Sequence, residues 1–567
     1  MLSVSGKNWK EISISKRMID KLKIDHNYSE IQSKMILSRK FDKLEISSLT
    51  ENIDISNPFN KNNDFKKGHF ILKEAIKENK KILIIGDYDV DGCVSTSLFV
   101  NFLKLINKKS DYFIPNRFND GYGVDLSLIK KLIKRKPDLV IMLDCGSSSF
   151  EAIEHLNVNK IKSIIIDHHE IYNPYPKSEC LINPKKDCNY KDFNYLCSST
   201  LTYFFLNSFI NKEKIKINFE KNLFFVLLAS MCDVMPLRKL NRLIAINVFK
   251  DLDKYDTYIF NKILEIKRIH RKIEIDDLNF LIGPIINSAG RLGDANMVVE
   301  LMTTNNFKTK DKLLYKLIEI NEKRKVIEDD FLKSIDFETI KKSKNNLIIL
   351  DKDIINEGII GIIASRMKEY FNMPAIILSK FNNEFKASAR STLDFNIGKF
   401  IKKAIDLKLI LKGGGHNLAA GFSIKKNKLD ELKIFFNKAH NKNKSFTTSE
   451  YISKLSLNAV NQEFFKNLNF LGPFGPSYER PIFLLENIKI LKPKILKKKF
   501  VSFYAKSTSG KMIPSISFNF LDSQVNKTLL FNKNKLSLIV QIKENIWNNK
   551  KNLQLIVLDT ITETNKA

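Results

Sequence analysis

The sequence predicts an α/β protein with a doubly wound parallel sheet, a mainly helical connector, a second α/β unit and a C-terminal β-barrel. Short β-branched runs alternate with amphipathic helices from about residue 68 to 240, the pattern of a parallel sheet covered on both faces. Strand patterns resume at residues 347–350 and 375–378. Several short strands with few helix signals occupy residues 480–560, which is typical of a small barrel.

We expect five regions along the 567 residues, a length that suits three or four domains. A polar, aperiodic stretch at residues 437–449 is predicted to be a linker. The predicted regions are an N-terminal extension (1–60), a first α/β domain (61–240), a helical connector (241–345), a second α/β domain (346–440) and the barrel (450–567).

The formal charge of +31 points to a polyanionic partner, above all nucleic acid. A lysine-rich composition from an AT-rich genome is the alternative, since only 13 of the 94 basic residues are Arg. Six scattered cysteines without a CxxC pair argue against a zinc ribbon or a disulfide scaffold, and Cys93, Cys145 and Cys232 are expected to be small apolar fillers. No apolar stretch approaches the roughly 18 residues of a membrane span and no signal peptide is visible, so we expect a cytoplasmic protein without membrane contact.

The most informative stretch begins with the apolar run Ile82–Ile85, a predicted buried strand. Asp87, Asp89 and Asp91 follow at alternate positions, so in an extended segment their carboxylates would converge. At about 4 Å and an effective dielectric of about 20, each like-charged pair costs roughly 4 kcal/mol, which favours a bound divalent cation. The alternatives are a solvated acidic turn and an EF-hand loop, although an EF-hand requires Glu where Leu98 stands and a helix before the loop.

Two further predicted strands end in polar residues. Residues 139–143 lead into Asp144, and residues 164–166 lead into Asp167–His169. Open α/β sheets place their sites at the carboxyl ends of the strands, and Asp233 adds a carboxylate inside an apolar stretch. This mixture of Asp and His suits Mn²⁺ or Mg²⁺, and two ions better than one. An Asp beside two His can also orient an imidazole ligand.

These motifs resemble the DHH phosphoesterase superfamily and, within it, the RecJ family of single-strand-specific DNA exonucleases. The resemblance covers nearly all of the chain after residue 58 and includes a DHHA1 domain and an OB-fold. The matching blocks are residues 86–92, 115–123, 144–146, 167–169, 287–292, 358–366, 387–391, 414–421 and 471–475, together with Asp233.

The resemblance implies roles for individual residues. The implied metal ligands are Asp89, Asp91, Asp144, His168 and Asp233. Asp87 and His169 would be ligands or lie directly behind them, and Arg291 would grip the DNA backbone near the scissile bond. The implied groups that bind the substrate are Arg117, Ser388 and Arg390 around the 5′ phosphate, and the turn at Gly414, Gly415 and His416.

The sequence departs from the family at two places. Asn356 stands where these proteins usually have His, which puts a phosphate-binding role there in doubt. After Gly475 the usual Gly-Asn-Pro is replaced by Ser477, Tyr478 and Glu479. In the barrel region, basic residues interleave with aromatic residues, which suits single-stranded DNA, although the aromatic side chains could instead form the inner face of the barrel. These residues are Lys494, Lys497, Lys498, Lys499, Phe500, Phe503, Tyr504, Phe518 and Phe520.

The resemblance implies a metal-dependent 5′ to 3′ exonuclease that releases 5′-mononucleotides from single-stranded DNA, acting in DNA repair and recombination. A single-strand-binding protein and a helicase are the partners it implies. One alternative is a DHH–DHHA1 phosphoesterase that acts on short oligonucleotides, cyclic dinucleotides or phosphoadenosine phosphate. The other is a catalytically inactive scaffold that binds DNA.

Overall fold

The structure is a computed structural model that describes residues 1–118, 120, 123–186, 188–343, 347–352, 356–381, 383–439, 448–547 and 550–562. The chain divides into two compact units. The sheet unit contains residues 50–327 and 473–478, and the barrel unit contains residues 1–49, 328–472 and 479–567.

The elements of residues 1–60 are β1 (Asn8–Glu11), α1 (Lys16–His26), α2 (Glu30–Ser38) and α3 (Lys43–Ser47). The next region contains α4 (Asn63–Lys77), β2 (Ile82–Gly86), α5 (Val90–Leu105), β3 (Ser110–Phe113), α6 (Leu126–Leu132), β4 (Leu139–Leu143), α7 (Phe150–Val158), β5 (Lys162–Ile166), β6 (Cys180–Ile182), α8 (Ser198–Lys212), α9 (Leu223–Cys232) and α10 (Lys239–Lys250).

The connector is helical, as predicted. Its helices are α11 (Tyr258–Ile266), α12 (Ile275–Asp277), α13 (Gly283–Leu292), α14 (Asn296–Thr303), α15 (Phe307–Lys333) and α16 (Phe337–Lys342). The second α/β region contains β7 (Ile348–Lys352), α17 (Ile360–Phe371), β8 (Ala375–Phe381), β9 (Glu384–Arg390), α18 (Ile397–Asp406), β10 (Lys412–Gly415), β11 (Ala419–Lys425) and α19 (Leu429–Ala439).

The last region contains β12 (Thr448–Tyr451), β13 (Ser453–Lys454), α20 (Gln462–Asn469), β14 (Phe483–Leu496), β15 (Phe500–Lys506), β16 (Met512–Ser517), α21 (Gln524–Phe531), β17 (Leu536–Trp547) and β18 (Lys550–Ile561). The predicted linker falls partly outside the described residues, which omit 440–447. The described parts of it belong to α19 and β12, so the prediction is wrong there. No described helix combines the length and the apolar composition that crossing a membrane requires.

The sheet unit contains the predicted doubly wound sheet. Its five strands are all parallel, in the order β3-β2-β4-β5-β6. Alternate residues of β2 face opposite layers: Ile84 packs with α5 and α8, whereas Ile85 packs with α6 and α7. The chain adds β3 on one side of β2 and then β4 on the other side, which makes the gap between β2 and β4 the switch point of the sheet. Open α/β sheets bind their ligands at such a switch point.

The described residues of the barrel unit form two larger β structures besides the small β1–β12 sheet. The first is a five-stranded sheet in the order β10-β11-β9-β8-β7, in which only β7 and β8 pair in parallel. The second is a closed five-stranded barrel formed by β14, β15, β16, β18 and β17, in which β17 pairs back with β14. Both confirm the predicted fold class.

The N-terminal segment is built into the barrel unit, which the sequence analysis did not foresee. Strand β1 pairs in parallel with β12, with Asn8 opposite Thr448. Trp9 is buried in one cluster with Leu484, Ile539 and other residues, and its indole Nε1 donates a hydrogen bond to Asp559 at 2.9 Å. This strand pairs with a partner far along the chain, so local sequence patterns carry no signal for it.

Candidate metal centre and substrate-binding groups

The three predicted carboxylates of the first motif lie at a turn from strand to helix. Strand β2 ends at Gly86 and α5 begins at Val90, so the expected extended backbone is wrong. Asp89 is the N-cap of α5, and its Oδ1 accepts the Gly92 N–H at 3.0 Å. A Cβ on Gly92 would overlap the Asp87 backbone, so glycine permits the tight turn.

Asp91 is held by the start of another helix. Its two carboxylate oxygens accept the backbone N–H groups of Ser198 at 2.7 Å and Ser199 at 2.8 Å. These residues open α8, whose N-terminus favours negative charge. Asp91 is almost completely buried, and these two hydrogen bonds fix the orientation of its carboxylate.

The remaining candidate ligands arrive from the neighbouring elements, as the sequence predicted. Asp144 follows β4, His168 follows β5, and Asp233 caps the C-terminus of α9. The Nε2 atom of His168 lies 3.3 Å from Asp233 Oδ2, 3.4 Å from Asp144 Oδ1 and 3.8 Å from Asp91 Oδ2. The predicted convergence at the carboxyl edge of the sheet is confirmed.

The candidate ligand atoms form three overlapping groups. Within each group the atoms lie within 4.8 Å of one another. Two groups share Asp144, which therefore lies where one carboxylate could bridge two ions. The groups are Asp87, Asp89 and Asp144; Asp91, His168 and Asp233; and Asp144, His168 and His169.

The electrostatics of this cluster favour a cation. Burial, and then the charge of Asp89, raise the pKa of Asp87 to about 7. Burial, and then the charge of Asp91, raise the pKa values of Asp144 and Asp233 well above the ordinary range. Burial lowers the pKa of His168, which favours the neutral imidazole that binds metals.

Several polar atoms of the cluster are buried without a hydrogen bond among the described residues. They are both carboxylate oxygens of Asp144, Oδ2 of Asp233 and Nδ1 of His168. Buried charges are normally paired or bound to metals, and carboxylate oxygens with imidazole nitrogens suit Mn²⁺ and Mg²⁺. The residues present therefore fit the divalent ions that the sequence predicted.

Asp167 orients the second histidine of the motif. Its Oδ1 pairs with Nδ1 of His169 at 2.8 Å, and its Oδ2 accepts the Ser147 N–H at 2.9 Å. Burial alone would lower the pKa of His169, but the hydrogen bond and the charge of Asp167 outweigh it and raise the pKa to about 9. Asp167 therefore favours the protonated form of His169, whose Nδ1 lies 3.8 Å from Asp144 Oδ1.

Tyr88 contacts Arg117 and also lies against the helix that carries Arg291. The Arg117 guanidinium stacks over the Tyr88 ring at 4.5 Å, and its Nη2 donates to the Tyr88 hydroxyl at 2.9 Å. Arg291 lies in the last turn of α13, where a Cβ on the preceding Gly290 would collide with the Tyr88 carbonyl oxygen. The helix that carries Arg291 thus lies directly against the acidic loop. The Arg117 motif continues through residues 119, 121 and 122, which lie outside the described residues.

Ser388 and Arg390 lie on one face of β9, in the barrel unit. Arg390 Nη1 donates to Ser388 Oγ at 3.2 Å. A Cβ on Gly361, in the first turn of α17, would lie 3.2 Å from both Ser388 Oγ and Arg390 Nη2. A helix N-terminus, a hydroxyl and a guanidinium therefore meet, and these are groups that bind phosphate.

The turn predicted at Gly414, Gly415 and His416 is wrong for the two glycines, because they lie in strand β10, which ends at Gly415. Gly414 on the edge strand β10 pairs with Gly421, which pairs with Ser388 on the other side. A Cβ on Gly414 would meet no atom within 4 Å, so the backbone of this edge strand, two strands from Ser388, is open to a ligand. Gly415 precedes the exposed His416, whose N–H donates to Ala419 at 2.8 Å and closes the hairpin.

Asn356, the departure from the family pattern, is exposed and accepts the Gly358 N–H on its Oδ1 at 2.8 Å. It therefore supports the glycine segment that leads into α17. In the barrel, Phe503 is buried, whereas Tyr504 and Phe518 are 46% and 55% exposed. The two readings of the barrel aromatics thus divide between residues: Phe503 faces the core, and Tyr504 and Phe518 are available for stacking.

Sequence reasoning missed several groups that hold the site together. These are the amides of Ser198 and Ser199, the close approach of Gly290 to Tyr88, and Gly361 beneath Arg390. Each depends on which distant element packs against the motif. Only the Ser198–Ser199 pair had a local signal, because serines favour the start of a helix.

Three domain families match the chain. Residues 81–231 match the DHH family N-terminal domain, residues 344–442 the DHHA1 domain, and residues 453–559 the RecJ OB domain. The three matches occur in the order that the sequence motifs predicted.

Curated relatives and solved structures agree with these matches. The single-stranded-DNA-specific exonuclease RecJ of Escherichia coli K12 is 27% identical over 529 residues, 88% of this chain and 90% of that protein. The protein of the same name from Bacillus subtilis 168 is 25% identical over 542 residues, 93% of this chain and 67% of that protein. The crystal structure of Thermus thermophilus RecJ with Mn²⁺ has a TM-score of 0.82 at 19% identity and covers 98% of this chain and 79% of its own, which shows the same fold. The chain belongs to the RecJ family of DHH phosphoesterases.

Proposed function

We propose that this chain is a metal-dependent exonuclease that hydrolyses single-stranded DNA from the 5′ end and releases 5′-mononucleotides. The observation that carries the proposal is the buried cluster in which Asp144 belongs to two ligand groups at the switch point of the sheet. The names of the relatives, single-stranded-DNA-specific exonucleases, support the substrate. The direction of hydrolysis rests on the family resemblance.

In this proposal Asp89, Asp91, Asp144, His168 and Asp233 hold two ions, Mn²⁺ or Mg²⁺. When bound, such ions lower the pKa of water and neutralise the oxygens of the scissile phosphate. The sheet, the α5 turn and the α8 N-terminus hold these ligands in position before the substrate arrives, which lowers the cost of organising the site. Asp87 completes the acidic wall.

Positive groups of the chain would receive the DNA. His169, kept protonated by Asp167, would donate a hydrogen bond to the scissile phosphate, and Arg291 would bind the phosphate next to it. The family resemblance assigns the 5′ phosphate to Arg117 in the sheet unit and to Ser388 and Arg390 in the barrel unit, and Arg offers a planar pair of donors to phosphate oxygens. The open backbone at Gly414–His416 would follow the DNA strand.

Further parts of the proposal rest on the family resemblance alone. These are a role in DNA repair and recombination, a cytoplasmic location, and association with a single-strand-binding protein and a helicase. The five domain limits given by the sequence analysis also stay proposals, and the limits at 345, 346 and 440 border or fall on residues outside the described ones.

The alternatives fit less well. A phosphoesterase for short oligonucleotides or cyclic dinucleotides does not account for the barrel that matches the RecJ OB domain. An inactive scaffold does not account for a complete set of candidate ligands.

The decisive experiment uses end-labelled single- and double-stranded DNA with Mn²⁺ or with EDTA, and resolves the products by length. We expect mononucleotides from the 5′ end of single strands with Mn²⁺ and none with EDTA. Hydrolysis of dinucleotides alone would favour the first alternative. Binding of DNA without hydrolysis under all conditions would favour the second.

A further inference from the structure

The six residues Pro473–Tyr478, here called the docking segment, belong to the sheet unit although residues on both sides of them belong to the barrel unit. Hydrogen bonds from Leu237 and Arg242 hold the segment in the sheet unit. The Leu237 N–H donates to the Pro476 carbonyl at 2.8 Å, and Arg242 Nη1 donates to the Pro473 carbonyl at 3.0 Å. Both donors lie just after the candidate ligand Asp233 in the sequence.

Arg242 fixes the docking segment from within the core. Both Arg242 and Tyr478 are fully buried, and the guanidinium lies 4.8 Å from the centre of the Tyr478 ring. Buried arginine on an aromatic face gains a cation–π interaction that is stronger without water. The segment closes on itself, because Gly475 and Tyr478 exchange two backbone hydrogen bonds of 3.0 Å. The docking segment is therefore closed by its own hydrogen bonds and attached to the sheet unit through Arg242.

The docking segment packs against the loop at residues 233–238, here called the Asp233 loop. Val234 has a φ of 56° and is 68% exposed, a backbone conformation that β-branched residues rarely adopt. Such strain persists only where the surroundings enforce it. At one end the loop is held by α9, where the Met235 N–H donates to the Ser230 carbonyl at 2.9 Å.

The docking segment holds the other end of the Asp233 loop. Besides the bond from Leu237 to Pro476, Gly475 lies close to both sides of the loop. A Cβ on Gly475 would lie 2.9 Å from Leu237 Cδ2 and 3.0 Å from Met231 Cε. The residues that precede and follow Asp233 are thus clamped by one segment from much later in the chain.

We propose that Arg242 and Gly475 are positioning residues that fix the Asp233 carboxylate for a divalent ion. The proposal rests on the proposed function, in which Asp233 is a metal ligand. Arg242 contacts Pro473 and Tyr478 and therefore acts on Asp233 through the docking segment and the loop. Release of the segment would allow Val234 to leave its strained conformation and turn the carboxylate away from His168.

The test measures Mn²⁺ binding by isothermal titration calorimetry to protein stripped with EDTA, without DNA. Arg242→Met keeps most of the buried side chain but removes the hydrogen bond to Pro473 and the charge over Tyr478. We expect Mn²⁺ affinity about tenfold lower, in line with the loss of groups that orient metal ligands. Arg242→Lys, which keeps the charge over Tyr478, should recover part of the affinity. Gly475→Val tests the same clamp from the other side and decides the question if Arg242→Met does not fold.

A double-mutant cycle separates positioning from general damage. In an Asp233→Asn background, Arg242→Met should cause no further loss of Mn²⁺ affinity. Leu264→Ala, a buried change on α11 in the same unit, is the control: it should lower the unfolding temperature but leave Mn²⁺ affinity unchanged. Equal losses with and without Asp233, or unchanged Mn²⁺ affinity in both clamp variants, would overturn the proposal. Failure of the wild-type protein to bind Mn²⁺ and hydrolyse DNA would instead refute the proposed function.

Discussion

The imidazole Nε2 of His168 lies 3.4 Å from Oδ1 of Asp144, and both side chains are buried. Neither carboxylate oxygen of Asp144 accepts a hydrogen bond among the described residues. A metal cation bound by both groups would stabilise this buried imidazole and this buried carboxylate, which lacks hydrogen-bond donors in the described part of the chain. Asp144 and His168 each belong to two of the three ligand groups, so this pair connects the groups of the candidate metal centre.

Asp144→Asn should abolish Mn²⁺-dependent hydrolysis and keep the fold. Asn tolerates the left-handed backbone that Asp144 adopts at a φ of 61°, but it removes the charge shared by two ligand groups. We expect activity at least about 10²-fold lower, and a higher unfolding temperature in EDTA because fewer like charges are buried together. Nuclease assays and thermal unfolding check both, with the exposed Asp253→Asn as the control. Undiminished hydrolysis would remove Asp144 from the metal site.

The metal-free protein should lose stability as pH rises from about 4 to 7. The folded-state pKa of Asp87 is raised to about 7 by burial and then by Asp89, and its unfolded value is about 3.9. Between these values the folded state binds more protons than the unfolded state, so a rise in pH favours unfolding. The stability of the wild type minus that of an Asp87→Asn variant should show this slope in EDTA and lose it with saturating Mn²⁺. A difference that does not depend on pH would contradict the raised pKa values.

Arg390→Ala should weaken the preference for 5′-phosphorylated ends. The guanidinium lies against Ser388 and the first turn of α17, and loss of a charged hydrogen bond to phosphate costs roughly 1.5–3 kcal/mol. We expect KM for 5′-phosphorylated DNA to rise about 10- to 100-fold, with little change for 5′-hydroxyl DNA. Arg390→Lys should lie between the two because Lys keeps the charge without the paired donors. An equal effect on both kinds of end would exclude Arg390 from a 5′-phosphate pocket.

Lys497 and Lys498 should contribute more to DNA binding than the adjacent Lys499. All three are exposed in the turn between β14 and β15, but Lys499 forms an ion pair with Asp329 at 2.8 Å. A lysine that binds phosphate contributes about one unit to the slope of log affinity against log salt. Lys497→Gln and Lys498→Gln should each lower that slope by up to about one, and Lys499→Gln by less, in fluorescence titrations with single-stranded DNA. Slopes equal to that of the wild type in all three variants would indicate that DNA does not reach this turn.

Trp9→Phe should destabilise the barrel unit. The ring stays apolar, but Asp559 loses the hydrogen bond from the indole Nε1 at 2.9 Å. A buried carboxylate that loses a donor costs about 1–3 kcal/mol, so the urea midpoint of unfolding should fall. Mn²⁺ affinity should be unchanged, since Trp9 lies outside the sheet unit. An unchanged midpoint would show that the N-terminal strand adds no stability.

The sequence predicted the parts of the fold and site that short-range patterns encode. Buried strands such as Ile82–Ile85 lack a polar face, and the residues that follow Leu143 and Ile166 therefore meet at one sheet edge. The prediction of an extended backbone for the first motif was wrong. The alternation of Asp87 and Asp89 fits a strand, but the Asp89 side chain caps a helix. Capping depends on a single hydrogen bond, which hydrophobic periodicity does not report.

What the sequence could not predict depends on contacts between distant residues. The partner of β1, the amides that bind Asp91, and the attachment of Pro476 to Leu237 all join segments with no local pattern in common. Residues 450–567 looked like one barrel region, yet residues 473–478 pack with the other unit. Burial of Tyr478 against Arg242 decides that placement.

The hydrogen bond between Trp9 and Asp559 also has a consequence for the synthesis of the protein on the ribosome. The two residues are 550 positions apart, and at roughly 5–20 residues per second the indole emerges about half a minute to two minutes before its partner. The whole sheet unit lies between them in the sequence and can fold during this interval. During this interval Trp9 on the first strand stays exposed to solvent. Slow translation of the last third of the chain would therefore lengthen the time in which chaperones, proteases or incorrect strand partners can bind this strand.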